Sequence, residues 1–404
     1  MKLFFLINSL AGGGAEAVLL RLQGSIKPDK IILLENDAKY DVNKEQAVIL
    51  SNHNNKTNPI YKTFYIPFYV KKILKKFKIG QDSVVISFLE RSNYVNIITK
   101  MIIKHKAIVT VHSDITNKKG FKKNINKVLM KLLYPKADVI ISVSNGVKEA
   151  LKKMGIEESK IKTIYNSFPI EEIKEKSKYP IEDIFNDFII TVGRFIEPKG
   201  QWYLLRIFKE VKKQFPDLKL VILGEGELKN YLVDLSTRLG LKTFVWDKDN
   251  LNDMYDVYFL GFKKNPYKYI SKAKFFVLTS LYEGFGNVLV ESMICNTCII
   301  STDCKSGPRE ILAPETNFKL QTKKPEITPY GVLMPVFDGK FKKAGETLSK
   351  EEGIWAKTLI ELLQNGEECD KFKLSTSSRI NDFSLEKIAA QWEELLTKQA
   401  SDKK

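Results

Sequence analysis

Short apolar runs rich in β-branched residues recur along the chain at residues 1–7, 30–34, 84–88, 107–111, 138–143 and 162–165, and again at 188–192, 218–223, 257–260, 275–279 and 297–301. Between them lie stretches with helical spacing of apolar positions, punctuated by turn residues. Alternation of this kind predicts α/β architecture with parallel, doubly wound sheets. It is interrupted once, by the charged stretch PIEEIKEKSKYP at 169–180, which is bracketed by prolines and reads as a linker. The pattern therefore predicts two Rossmann-like domains facing a central cleft, at residues 1–168 and 187–382, joined by a linker at 169–186. A closing amphipathic helix is predicted within 383–404. Its N-cap is Ser384, Lys387 stands where a capping box would have glutamate, and Leu385, Ile388, Ala389, Trp392, Leu395 and Leu396 share a face. Residues 242–256 and 313–330 are longer than the usual connections between such elements and are given no role.

A length of 404 residues suits two domains. No apolar run approaches the roughly 20 residues that span a bilayer. The opening run is too short for the core of a signal peptide and reads as a first strand, so a cytoplasmic location is expected. Cys295 and Cys298 form a C-x-x-C, but zinc needs four ligands and the three histidines, His53, His105 and His112, are distant in sequence. Buried thiols at a helix-to-strand turn are expected there, not a disulfide framework.

The formal charge is +17, and residues 61–136 alone carry 17 Lys or Arg against 3 acidic residues. Concentrated positive charge points to nucleic acid, an anionic lipid surface or a phosphorylated substrate. Tyr61, Phe64, Tyr65, Phe68, Tyr69, Ile73, Leu74 and Phe77 fit one helical face. Lys71, Lys72, Lys75, Lys76 and Lys78 lie mainly beside or opposite it, and Pro67 either bends or starts the helix. The segment 118–131 repeats the arrangement, with Phe121, Ile125, Val128, Leu129 and Leu132 against Lys118, Lys119, Lys122, Lys123, Lys127 and Lys131. These faces either dock on an anionic membrane or pack on their own domain under solvated lysines. Aromatics segregated from most of the lysines argue against nucleic acid.

Candidate chemistry clusters just after predicted strands. Glu283 and Glu291 stand eight positions apart, with Gly284, Gly286, Asn287 and Val288 between them. If Asn287 opens a helix, Glu283 lies in the loop at a strand's carboxyl end and Glu291 one turn inside the helix. Backbone N–H groups at that helix start would face a nucleotide's phosphates. Arg194 and Lys199 follow the strand 188–192. Cations at a helix start oppose the helix dipole, so they point to a bound anion. His112 ends the strand 107–111, Gly13 and Gly14 follow the first strand with Glu16 behind them, and Glu90 and Arg91 follow 84–88. Gly224 with Glu225, and Gly261 with Phe262, follow two further strands.

The segment Glu283–Glu291 resembles the Glu, seven residues, Glu motif of family 4 glycosyltransferases, retaining enzymes of the GT-B fold. Further resembling segments recur in order: Gly12-Gly13-Gly14-Ala15-Glu16, Val111-His112-Ser113-Asp114, Val192-Gly193-Arg194-Phe195 with Pro198-Lys199-Gly200, Leu223-Gly224-Glu225-Gly226, and the run from Ser301 to Glu310. That run, with Asn265-Pro266-Tyr267-Lys268-Tyr269-Ile270 before it, looks most like the branch that builds bacterial capsule, O-antigen or related surface glycans. The resemblance implies that Arg194 and Lys199 carry the charge of the leaving phosphate and that Glu283 orients the donor sugar. By the same resemblance Glu291 holds the ribose, and His112 lies beside the sugar's reactive face through its carbonyl, its ring or both. Gly13, Gly14, Gly286, Asn287 and Val288 would approach the phosphates, and Gly224, Glu225, Gly261 and Phe262 would frame the base. Glu90 and Arg91 are candidates for acceptor contact.

The implied donor is a nucleotide sugar, UDP before GDP, and the implied acceptor a polyprenyl-diphosphate-linked or other lipid-linked glycan. The closing helix would cross back to the N-terminal domain, and the protein would sit peripherally on the inner face of the cytoplasmic membrane. No Asp-x-Asp pair follows a predicted strand, so no essential metal and no cofactor are expected. Rival readings are a GT-B relative acting on the nucleotide sugar itself, such as an epimerase, a nucleic-acid-binding protein, and an inactive scaffold. A scaffold would have lost one of His112, Arg194, Lys199 and Glu283, and all four are present.

Overall fold

Residues 2–37, 46–54, 56–113, 121–181, 186–365 and 367–401 are described by a computed structural model. The chain divides into two units, Met1–Phe168 with Phe383–Lys404, and Pro169–Asp382.

The first unit is built on β1 (Lys2–Ile7), β2 (Lys30–Leu33), β3 (Ala47–Ile49), β4 (Ser83–Phe88), β5 (Lys106–Val111), β6 (Val139–Ser142) and β7 (Ile161–Thr163). All pair parallel in the order β3-β2-β1-β4-β5-β6-β7. The central strands are buried on both faces, which is why they read as continuous apolar runs without alternation. Strand order reverses between β1 and β4, so their following loops part at that point and leave a crevice at the carboxyl ends.

The second unit holds β8 (Phe188–Val192), β9 (Lys219–Leu223), β10 (Thr243–Val245), β11 (Val257–Gly261), β12 (Phe275–Leu278), β13 (Cys298–Thr302), β14 (Glu326–Thr328) and β15 (Gly331–Met334). Their order is β10-β11-β9-β8-β12-β13-β15-β14, parallel except for the β14–β15 hairpin. Here the reversal falls between β8 and β12. The two long segments without a predicted role hold β10 and β14, and β10 corrects the expectation that no Asp-x-Asp follows a strand: Asp247-Lys248-Asp249 comes just after it, with Asp247 paired to Lys229 and Asp249 accepting from the Val245 N–H at 2.8 Å.

The helix Leu385–Ser401 lies in the first unit against the helix Gly14–Ser25, and Ile388, Trp392, Leu395 and Leu396 join that unit's core. Ser384 caps it, accepting from the Lys387 N–H at 3.2 Å. Phe168 donates its N–H to the Phe383 carbonyl at 2.9 Å, so the chain leaves the first unit and re-enters it at one place.

Three expectations are corrected. The first half of the stretch read as a linker is a helix, Ile170–Ser177, whose buried Ile173 anchors it in the second unit under an outer surface of Glu and Lys; residues 182–185 lie outside the described ones. Residues 61–77 are not one helix but two, Pro59–Phe64 and Ile66–Lys76, because Pro67 starts the second. The break changes the helical phase. Ile66, Tyr69, Val70 and Ile73 pack inward, while Tyr61, Phe64 and Phe68 are left outside, Phe64 with 78% of its surface exposed. The third concerns the thiols: Cys298 pairs with Cys369, 71 residues on, while Cys295 and Cys304 are free and buried. Of the second basic segment, Val128 and Leu132 on the helix Phe121–Leu133 are exposed, as are Met101 and Ile102. Its residues 118–120 and the side chains of Phe121 and Ile125 lie outside the described ones.

Candidate active site

The loops after β8 and β12 flank the strand-order reversal of the second unit, and they bring Lys199 and Glu283 together. Lys199 Nζ lies 2.6 Å from Glu283 Oε1, and Ser280 Oγ donates to the same oxygen at 2.6 Å. Ser280 is fully buried and anchored in turn, its carbonyl accepting from Thr302 Oγ1 at 2.6 Å. Two donors on Oε1 leave Oε2 without a hydrogen bond among the described residues. A carboxylate held this way can accept from a ligand hydroxyl without first being oriented.

The two loops are laced together by backbone. Leu281 N–H donates to the Pro198 carbonyl at 2.8 Å, and Thr279 Oγ1 donates to the Lys199 carbonyl at 3.2 Å. Gly200 permits this approach: it has φ +57°, and a Cβ there would stand 2.5 Å from the Thr279 carbonyl oxygen. Gln201, almost fully buried, donates through Nε2 to the carbonyls of Gly193 and Arg194 at 3.3 and 3.1 Å. This fixes the turn that projects Arg194, which is exposed and has no ion-pair partner among the described residues.

Gly286, with φ +92°, is the N-cap of the helix Asn287–Ile294 and adds no side chain to the helix start. Asn287 and Val288 therefore present the first N–H groups of that helix at its positive end. Glu291 lies one turn in and is buried. Gly224 and Gly261, at the ends of β9 and β11, are joined by a 2.9 Å backbone bond, with Glu225 and Phe262 exposed just beyond. The Trp246 ring packs on Gly261, and Lys229 Nζ lies 4.0 Å from its centroid while pairing with Asp247.

In the first unit the same ends of the strands gather the other candidates. Gly13 caps the helix Gly14–Ser25, and the buried Glu16 folds its carboxylate back over it. Glu90 opens the helix Glu90–Ile103 and accepts from Ser113 Oγ at 3.3 Å. Arg91 is drawn inward to the buried Glu35, which also pairs with Lys62 at 2.5 Å. Burial lowers the Arg91 guanidinium to about 10, still charged at neutral pH. His112 stacks on Phe88, centroids 5.8 Å apart, and its Nε2 is 2.8 Å from Thr110 Oγ1. Burial lowers its imidazole to about 4 against the opposing pull of Glu90, so the ring is neutral at pH 7. Asp114, which follows, lies outside the described residues.

The sequence model described as "Glycosyl transferases group 1" matches residues 171–326, and that described as "Glycosyltransferase Family 4" matches 28–172. The 4-α-N-acetylgalactosaminyltransferase of Campylobacter jejuni named for N-acetylgalactosamine-N,N'-diacetylbacillosaminyl-diphospho-undecaprenol is 34% identical over 86% of this chain and 94% of its own. An uncharacterized glycosyltransferase of Methanocaldococcus jannaschii is 33% identical over 89% of both chains.

The chain is a family 4 glycosyltransferase. The crystal structure of Anabaena HepE with UDP-glucose, 19% identical, matches 98% of this glycosyltransferase and all of that chain with a TM-score of 0.72, as expected for the GT-B fold. Among the described residues no group of three or more His, Cys, Asp and Glu could hold a metal ion, and no helix is long and apolar enough to cross a membrane. Of the glycosyltransferase's site neighbours, Ser280, Gln201, Trp246 and Thr110 were not among the sequence candidates. Ser280 had a usable signal, a hydroxyl three positions before Glu283 and just after a strand.

His105 gives the glycosyltransferase a distinct acid sensitivity. Its Nε2 donates to Asn96 Oδ1 at 2.9 Å, and burial lowers it to about 4. The unfolded chain binds this proton near pH 6.5 and the folded protein only near 4. The stability contribution is therefore complete above 6.5 and is lost as pH falls toward 4. At pH 5 this one residue should cost about 2 kcal/mol. Urea unfolding of the native protein and His105→Gln at pH 7 and 5 measures it, the variant losing less on acidification.

Proposed function

We propose that this glycosyltransferase moves a sugar, with retention, from a UDP-sugar to a lipid-linked diphosphate glycan. The observation that carries the donor half is the Lys199–Glu283 pair beside the Asn287 helix start: a cation and helix N–H groups for a diphosphate, and an oriented carboxylate for the sugar's hydroxyls. Arg194 adds the second cation. The acceptor half is supported by the Campylobacter relative, whose name specifies an undecaprenol-diphosphate acceptor.

In the reaction the bond from the sugar's anomeric carbon to the diphosphate oxygen breaks with its electron pair going to the diphosphate. The acceptor hydroxyl oxygen bonds to the same face of that carbon, and its proton passes to a leaving-phosphate oxygen. Arg194 and Lys199 stabilise the charge that develops there, Glu291 holds the ribose and His112 takes its place beside the sugar. A glycosyl adduct trapped on a protein carboxylate would overturn this course.

Exposed Tyr61, Phe64 and Phe68, with Met101, Ile102, Val128 and Leu132, and exposed Lys71, Lys75, Lys76, Lys104, Lys127 and Lys131, suit peripheral docking on an anionic membrane. Each basic residue near the lipid contributes about 1 kcal/mol, weakened by salt. Flotation with phosphatidylglycerol vesicles should retain the protein at low salt and release it at high salt; no binding at low salt refutes docking. The activity itself is tested by nucleotide release from a panel of UDP- and GDP-sugars with and without bacterial lipid extract. Lipid-dependent release from one UDP-sugar is expected, and lipid-independent formation of an isomerised sugar would replace the proposal.

A further inference from the structure

We propose that Thr110 is a positioning residue that fixes His112 as its Nε2–H tautomer and so presents Nδ1 as the ring's acceptor toward the donor sugar; the second half rests on the role proposed for His112.

Thr110 Oγ1 has two close partners, the Ser87 carbonyl oxygen at 2.9 Å and His112 Nε2 at 2.8 Å. A hydroxyl has one proton to give and a carbonyl has none. Donation to the ring would leave the Thr110 and Ser87 oxygens facing each other lone pair to lone pair. Thr110 and Ser87 are both essentially inaccessible to solvent, so no water relieves that contact. The hydroxyl therefore donates to Ser87, and the proton between Thr110 and His112 belongs to the ring.

The surroundings hold this arrangement from both sides. The Thr110 carbonyl accepts from Asn93 Nδ2 at 2.9 Å, and Asn93 Oδ1 accepts from Ser87 Oγ at 2.8 Å. Phe88 fixes the plane of the imidazole. A neutral ring with its proton on Nε2 has a bare Nδ1. It accepts from a sugar hydroxyl and has no proton to give the leaving phosphate, which assigns His112 to orientation and removes it as a general acid.

The chain has three histidines, so imidazole 15N spectra of the full-length protein, assigned with His53→Gln and His105→Gln, report the tautomer directly. The native protein should show His112 protonated at Nε2 and bare at Nδ1. Thr110→Val, close in shape and without the hydroxyl, should lose that preference and lower kcat about tenfold, the weight of one hydrogen bond, with donor KM within about threefold. Thr110→Ser should restore the tautomer and most of the rate, and an unchanged urea unfolding profile of each variant, followed by circular dichroism, certifies the fold of the first unit. A native Nδ1–H form, or a tautomer unchanged in Thr110→Val, overturns the positioning role. A switched tautomer with unchanged kcat overturns the presentation of Nδ1 to the sugar and, with it, the reading of the His112 ring.

Discussion

Replacing Glu283 with alanine should lower nucleotide release from the donor by about 10²- to 10³-fold, the usual consequence of removing one preorganised polar group from a reacting centre. The carboxylate is fixed by Ser280 and Lys199 on a single oxygen, so its remaining oxygen is oriented before any sugar arrives. Alanine removes that acceptor and leaves the Lys199 ammonium, four-fifths buried, without its counter-charge. Glu283→Gln keeps the shape but offers an amide to two donors, so it should recover only part of the rate. Steady-state release assays on the preferred donor decide the matter: a Glu283→Ala rate within threefold of the native one would remove Glu283 from the reaction. Ser280→Ala should fall between, because it loosens the carboxylate without deleting it.

The loops that hold these groups were legible because each follows a strand buried on both faces. An unbroken run such as Phe275–Leu278 shows where the chain reaches the carboxyl ends of the strands, and residues just beyond those ends at a strand-order reversal are where ligands bind. The short edge strands were not legible. Ala47–Ile49 and Glu326–Thr328 are three residues long and partly exposed: Glu326–Thr328 has no apolar run to announce it, and the four apolar residues at 47–50 are too few to separate a strand from a buried loop. Pairing of Cys298 with Cys369 depends on a contact across 71 residues that spacing does not encode. The aromatic face at residues 61–77 failed for a different reason: a single helical period was carried through Pro67, whereas the chain restarts its helix there. Residues assigned to one face were thereby divided between core and solvent.

The buried polar side chains behind the site were hidden for a related reason. Asn93 and Asn96 face inward from the helix Glu90–Ile103, where periodicity asks for apolar residues, and they donate to the carbonyls of Thr110, Val85 and Ile108. Their places make sense only once β4 and β5 lie beneath the helix. Sequence pattern finds the frame and its motifs, while the groups that orient a motif residue come from neighbouring strands and become visible only in three dimensions.

Glu352→Ala should destabilise the second unit by about 3–5 kcal/mol, the cost of breaking a buried ion pair and leaving its cation behind. Arg206 is 1% exposed and donates to both oxygens of Glu352, at 2.6 and 3.3 Å, and to the carbonyls of Lys343, Glu346 and Thr347. Glu352 also closes a capping box with Ser349, so the substitution frays the start of the helix Lys350–Gln364 as well. Trp355 lies one turn along that helix, buried against Phe337, and makes tryptophan fluorescence during urea unfolding a suitable measure. A loss below about 1 kcal/mol would mean that the three carbonyls hold the guanidinium without its carboxylate. The effect should reach the donor site, because Arg206 lies in the helix Gln201–Val211, whose preceding turn carries Lys199. Donor KM should therefore rise in Glu352→Ala even at temperatures where the unit remains folded, whereas Glu352→Gln, which keeps one acceptor oxygen for Arg206, should show a smaller change in both.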